Sequence, residues 1–489
     1  MKRLILAAIG PLTLSALALS ACAVGPDFHA PPAPTLSRYT PEPLPAATGA
    51  AATRGGADQS FVQGQDVSGQ WWTLFGSPAL DALVTRALKA NPDLAAAREA
   101  LRAAHENYLA QRGALLPTAD AGFSASRQQA SGTPAPPLAS NNNLFTLYTA
   151  QLTIAYVPDL FGGVRRQVET TRAQADAQRF ETEAVYLTLT TNVVAGAIQE
   201  GSLAEQIEAT RQVIKAETEA LGILRRQKAL GQVGGLDVAA QESALAQAEA
   251  TLPPLEKQLA QQRDQMAYLT GRAPSEAPEA PLDLGGLTLP AALPVSLPSR
   301  LVEQRPDVRA AEANLHAATA QVGVAIANRL PNVTLTADAG GASTSLASLF
   351  TRGNGFWGLA ANVAQPIYQG GTLLHRQKAA EAALAQAREQ YRAAVLAAFQ
   401  NVADTLQALQ ADSRALAAAA RAEKSAEATL AISRRQLALG QVSGPSVLLA
   451  EQAYQQALVG RLQAEAGRYA DTVALFQALG GGWWNRKDV

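Results

Sequence analysis

Two kinds of hydrophobic spacing share this chain. In "TADAGFSAS", Ala119, Ala121, Phe123 and Ala125 alternate with Thr118, Asp120, Ser124 and Ser126; in "LYTAQLTIAYVP", Tyr148, Ala150, Leu152, Ile154 and Tyr156 alternate with Thr149, Gln151 and Thr153. A period of two predicts strands. The pattern returns later, where Val333, Leu335, Ala337 and Ala339 oppose Thr334, Thr336 and Asp338, and Trp357, Leu359, Ala361 and Val363 oppose Gly358, Ala360 and Asn362. The expected strands cover about 117–130, 144–157, 332–345 and 355–367, paired as two hairpins whose loops are polar and rich in Gly or Pro. After each hairpin a Gly-Gly pair, at 162–163 and 370–371, opens a long run rich in Ala, Gln, Glu and Arg. A helix of about sixty-five residues would extend on the order of 100 Å. Near the C-terminus, Leu458, Leu462, Ala466, Tyr469, Val473, Phe476 and Leu479 recur every three or four positions, an apolar stripe for a neighbouring helix.

The two halves are copies. "RRQKALGQV" from Arg225 and "RRQLALGQV" from Arg434 agree at eight of nine positions, 209 residues apart. Pro92 and Asp93 match Pro306 and Asp307 at an offset of 214, as Leu116 and Pro117 match Leu330 and Pro331. Asn91 can cap a helix whose first turn holds Pro92 and Asp93. The nonapeptides stand where an outgoing helix meets a returning one, since "LGQVGG" and "LGQVSGP" are Gly-rich turns. Each half is therefore a hairpin of strands and a hairpin of helices. Pro253 and Pro254 are expected to interrupt the returning helix of the first half and begin a new helical segment.

Strands of about ten residues, apolar on one face and small or polar on the other, suit a transmembrane barrel; a soluble sheet packed on helices is the competing reading. Four strands cannot close a membrane barrel, because unpaired edge groups are too costly in lipid. A barrel would need several copies: a dimer supplies eight strands, a trimer twelve and a tetramer sixteen. The helices are too long for any bilayer and must project into water.

Composition narrows the function. The 40 basic and 41 acidic side chains nearly cancel, so there is no cationic field for nucleic acid. His29, His105, His316 and His375 lack ligand spacing, and no Cys cluster, P-loop or nucleophile elbow is present, so no catalytic, metal or cofactor site is expected. Lys2 and Arg3 precede "LILAAIGPLTLSALALS", an export signal over 1–21. Leu19 to Cys22, "LSAC", reads as a bacterial lipobox, which assigns Cys22, the single cysteine, as the acylated residue. Several acyl chains suffice for stable anchoring. An extended Pro-, Ala- and Gly-rich arm follows over 22–75.

At this point the chain resembles the TolC-like outer-membrane efflux factors, in their lipoprotein branch often called NodT. The resemblance rests on "CAVGPDF", "WWTLFGSPALDALVTRALKANPDL", "LPSRLVEQRPDVRAAEANL", the Gly-rich tips and the closing "ALGGGW". It implies a mainly α fold with membrane β: repeats over 76–275 and 299–480, joined by a Pro-rich linker at 276–298 and ending in a tail at 481–489. Two β-hairpins per chain would join a homotrimer's 12-stranded barrel, continued by long helical hairpins as a periplasmic α-barrel. The implied function is a passive outer-membrane exit duct for solutes from an inner-membrane RND-type pump; a lipid-anchored scaffold or adhesin without a pore is the rival. By resemblance, Gly231, Gln232, Val233 and Gly234, with Gly440, Gln441, Val442 and Ser443, would meet a periplasmic adaptor, the membrane fusion protein. The family often closes its periplasmic end with acidic rings near the second tip. Here that tip continues Pro445, Ser446, Val447, Leu448, Leu449, so Leu448 or Leu449 could form a hydrophobic constriction, while Asp237 in the first tip either gates or caps the returning helix.

Overall fold

The structure, a computed structural model, describes residues 23–129, 144–276 and 282–486. Cys22 and the export signal lie outside the described residues. The elements run β1 (Ser60–Gln63), α1 (Pro78–Ala90), α2 (Pro92–Gly113), β2 (Thr118–Gln129), β3 (Leu144–Tyr156), α3 (Gly163–Ala229), α4 (Gly235–Leu269), β4 (Ala292–Val295), α5 (Pro298–Gln304), α6 (Pro306–Ala327), β5 (Asn332–Ser343), β6 (Gly355–Ala364), α7 (Thr372–Ala438) and α8 (Gly444–Ala478). The duplication holds to the residue. Helices α3 and α7 have 67 residues each, α4 and α8 have 35, and α2 and α6 have 22.

Contacts divide the described chain into two compact units. The first comprises, among the described residues, 23–31, 101–129, 144–178 and 311–391 and holds the larger sheet, antiparallel in the order β2-β3-β5-β6. The register puts Ala121, Leu152, Ala339 and Trp357 in one row across the sheet, and Asp120, Thr153, Asp338 and Gly358 in the next. The face with Leu152, Ile154, Leu335, Trp357, Leu359 and Val363 is apolar and open to its surroundings. On the opposite face Thr153 donates from Oγ1 to Asp338 at 2.7 Å. The alternation in the sequence therefore survives as two chemically distinct faces, because side chains on a strand point to opposite sides in turn. β2 and β6 are the edges of this sheet.

The same unit seats the residues that follow Cys22. Phe28 stacks on His316 at 4.3 Å and packs against Leu315, Val322, Leu384 and Ala387. Val24 donates its backbone N–H to Phe161 at 3.0 Å, and Arg166 reaches Asp27 at 2.6 Å and Val24 O at 3.2 Å. Gly25, at φ +96°, approaches so closely that a Cβ there would stand 2.4 Å from Gly323 Cα. Only glycine fits at that crossing.

The second unit comprises 32–100, 179–310 and 392–489. Its core gathers Trp71, Trp72, Phe75, Tyr469 and Phe476, with Trp71 stacked on Phe476 at 5.3 Å. Trp72 donates from Nε1 to Asp81, and Tyr469 from its hydroxyl to Leu287 O, so each buried polar tip is satisfied. The segment ahead of this core is closely held: strand β1 pairs in parallel with β4, from Ser60 opposite Ala292 to Gln63 opposite Val295. A four-residue strand whose partner lies over 200 positions away leaves no periodicity to read. The tail contributes too, for Trp483 is buried and donates to Gln304 O at 2.7 Å.

One expectation is corrected. Pro253 and Pro254 do not divide the returning helix; they lie inside continuous α4. Each proline removes one backbone donor. Ion pairs on either side, Arg211 to Glu256 at 2.9 Å and Arg225 to Glu242 at 2.7 Å, tie α4 to antiparallel α3 across the two prolines.

Candidate functional site: the hairpin tips and the seam behind them

Both tips terminate their outgoing helix in the same way. Gly231 and Gly440 are left-handed, at φ +73° and +69°. Beyond them, the N–H of Gln232 bonds Gln227 O and that of Gln441 bonds Gln436 O, each at 2.9 Å, while Gly231 and Gly440 bond Lys228 O and Leu437 O at 3.0 Å. This pair of bonds is the Schellman motif, which satisfies the last helical carbonyls and needs a residue tolerant of positive φ. Gln232 and Gln441 are exposed, as are Gly234 and Ser443, while Val233 and Val442 are half-buried. Val442 packs on Leu430, Val447 and Ala450. Leu230, Leu236 and Leu439 stand largely in the open at the tips.

The three proposed gate residues divide by environment. Asp237 accepts the N–H of Gly234 at 3.2 Å, one half of a capping box that Gly234, having no side chain, cannot complete, and its equivalent in the second tip, Ser446, approaches Ser443 Oγ at 3.1 Å. Capping the returning helix is therefore the role its geometry displays. Leu448 is 9% exposed and turned into the helix packing, whereas its neighbour Leu449 is 68% exposed.

Behind the tips, the antiparallel pair α3 and α8 makes a polar seam between the two helical hairpins. Gln463 donates to Gln206 at 3.2 Å, and Arg54 from the arm bridges Glu205 on α3 and Glu465 on α8. Nearer the tips the rung sets carboxyl beside carboxyl: Glu217 on α3 and Glu451 on α8 line one small cavity. Gln241 on α4 donates to both the backbone and side-chain oxygens of Glu217, the former at 3.1 Å. Arg434 on α7 binds Glu451 Oε1 at 2.9 Å. Burial and the adjoining Glu451 push the Glu217 carboxyl up to about 7. This cluster escaped sequence reasoning, since a Glu in an Ala/Gln/Glu-rich helix reads as solvated. The available signal was the repeat itself: Arg225 and Glu242 recur as Arg434 and Glu451, but Glu217 and Gln241 correspond to Ala426 and Ala450.

A cavity of about 800 Å³ lies along α3 and α4 and is crossed by Arg263 to Glu200 at 3.0 Å and Arg211 to Glu256 at 2.9 Å. Among the described residues no group of three His, Cys, Asp or Glu side chains could hold a metal ion, and no helix is long and apolar enough to cross a membrane.

A four-stranded sheet with an apolar outward face, joined to paired helices of 67 residues, defines an outer-membrane channel of the TolC fold. Comparison with known proteins gives the family. Residues 83–272 and 297–481 match the model for the outer membrane efflux protein family, to which this chain belongs. It is 29% identical to the pyoverdine export outer membrane protein OpmQ of Pseudomonas putida over 90% of this chain and 94% of that one. It is also 28% identical to the probable outer membrane lipoprotein SilC of Salmonella typhimurium over 95% and 96% of the two chains. The solved outer-membrane channel OprN superposes with a TM-score of 0.83 at 26% identity, covering 94% of this chain and all of that one. The protein is an outer-membrane efflux duct.

Proposed function

We propose that three copies of this chain, each acylated at Cys22, form one twelve-stranded barrel through which solutes leave the cell, with the helical hairpins meeting a periplasmic adaptor and its inner-membrane pump. The observation that carries this reading is the unpaired edges of the sheet: β2 and β6 flank a surface apolar enough for lipid, and open edge groups cannot remain in lipid. β6 of one copy pairing with β2 of the next closes the sheet. The seating of Val24 and Gly25 beside Phe161, five residues past the end of β3, would deliver the acyl chains to the base of the strands. Exposed Leu230, Leu236 and Leu439 offer apolar contact at the tips, with Gln232 and Gln441 beside them. Leu449 is the residue best placed to line a hydrophobic constriction, Asp237 being engaged as a cap.

Transport here is passive, and the pump supplies the energy. The test is conductance of the purified protein in planar bilayers together with its mass in mild detergent. A trimer that conducts is expected; a heat-resistant monomer with native helicity and no conductance would leave a lipid-anchored scaffold instead. Photocrosslinkers placed at Gln232 or Gln441 are expected to capture the adaptor, and capture only from sites remote from the tips would overturn the docking assignment.

A further inference from the structure

The seam between α3 and α8 contains two rungs that use carboxylates differently. At Glu205 and Glu465 a guanidinium, Arg54, lies between the acids and pairs with both. At Glu217 and Glu451 two buried carboxyls line the same small cavity, Gln241 donating to the first and Arg434 to the second, and burial with the facing acid favours a proton on Glu217. Three of the site's four side chains are buried, Gln241 at 1% exposed, Glu217 at 2% and Glu451 at 9%, while Arg434 reaches in from the surface. A cavity of about 140 Å³ adjoins it, lined by Ala216, Glu217, Leu430, Arg434, Glu451 and Tyr454 among others. The repeat isolates what was added. The first hairpin keeps both Arg225 and Glu242 in solvent, whereas in the second Arg434 stays exposed while its partner Glu451 is buried in the seam beside Glu217 and Gln241.

We propose that Glu217, Gln241, Glu451 and Arg434 form a proton-dependent latch that holds the two helical hairpins of one protomer together behind the tips, and that loss of its proton frees them to part. The latch rests on the channel reading for its consequence, but its chemistry belongs to one chain. Every element around it contributes: Glu217 from α3, Gln241 from α4, Arg434 from α7 and Glu451 from α8. Tyr454 on α8 stands next in line, facing Glu423 and Glu427 of α7 and Arg461 of α8. Gln241 and Arg434 favour ionised acids, whereas burial and the facing carboxylates favour the proton.

The sign follows from proton binding. Closed, Glu217 titrates near 7; opened to water it returns toward its ordinary 4.5. The closed latch therefore binds more protons in that window, so its advantage is complete below about pH 4.5 and is lost as pH rises through about 7. A shift of this direction and order changes the closing equilibrium roughly 10- to 100-fold across the window. Each protomer contributes one latch. The three would act on the same helices that carry the tips, with Glu217 about 18 Å of helix before the end of α3.

The test uses the full-length protein carrying Ala216→Cys, with and without Glu217→Gln. The amide introduced by Glu217→Gln satisfies Gln241 and Glu451 without a titrating proton, so it keeps the latch closed at every pH. Maleimide labelling of the cysteine introduced at position 216 is timed from pH 5 to 8, and the ratio of the rate without Glu217→Gln to the rate with it cancels the intrinsic pH dependence of the thiol. The expected ratio is near one at pH 5 and at least tenfold by pH 8. A ratio that stays constant overturns the latch. Conductance in bilayers is read in parallel on the proteins without the added cysteine: wild type should open more at pH 8 than at pH 5, and Glu217→Gln should stay low. If labelling responds while no variant conducts at any pH, the channel reading fails and the latch stands. If the cysteine variants do not fold, equal pH profiles of conductance for wild type, Glu217→Gln and Glu451→Gln reject the latch.

Discussion

Asn91 is the sharpest point at which one side chain holds two elements. It is buried, its Oδ1 accepts the N–H of Leu94 at 3.0 Å at the start of α2, and its Nδ2 donates to Leu269 O at 3.1 Å at the end of α4. Asn91→Ala removes both bonds. Loss of an N-cap costs about 1 kcal/mol, and a buried carbonyl left without a donor costs about 1–2 kcal/mol more. The total of about 2–3 kcal/mol corresponds to a roughly 30- to 150-fold increase in local opening. Asn91→Asp keeps the cap and loses only the donor, so it should fall between wild type and alanine. Hydrogen exchange of the peptides spanning 92–97 and 264–270 measures this, with global helicity as the control. The repeat supplies an internal comparison: Arg305, the counterpart of Asn91, donates from Nη1 to Ala478 O at 3.1 Å, so Arg305→Ala should loosen the end of α8 in the same way. Unchanged exchange at both ends in Asn91→Ala, or an aspartate variant as labile as alanine, would refute the argument.

Other consequences can be measured directly. Leu359→Arg on the apolar face should block membrane insertion at a cost of about 2–4 kcal/mol, while Ala360→Arg on the opposite face should insert and alter conductance; equal insertion would contradict the assignment of faces. Leu230→Asp together with Leu439→Asp should abolish adaptor capture and solute export while leaving the melting temperature within a degree or two. Asp412, raised to about 7 by burial and by its hydrogen bond to Asp471, should stabilise its surroundings below about pH 3.8 and lose that contribution as pH rises through 7. Exchange near 412 and 471 is therefore expected to quicken from pH 5 to 8 after correction for intrinsic rates, and Asp412→Asn should abolish the change. Cys22→Ser should eliminate metabolic labelling by palmitate.

The sequence by itself determined the local architecture. Period-two alternation placed four strands to within three residues, and the repeated turn chemistry placed both helix ends, because the conformations of Gly231 and Gly440 are settled by their own backbone. It also carried the family resemblance, whose motifs are contiguous. What it could not reveal depends on partners distant in the chain. β1 is too short to signal itself without β4, and the prolines at 253 and 254 read as a break until α3 is seen beside α4. Glu217 and Glu451 look like two of many helix-surface acids; only the antiparallel seam of α3 and α8 removes them from water and sets them against each other. Spacing along a chain fixes which face a residue occupies, but the solvent it loses and the charge it meets are set by whichever helix the fold lays across that face.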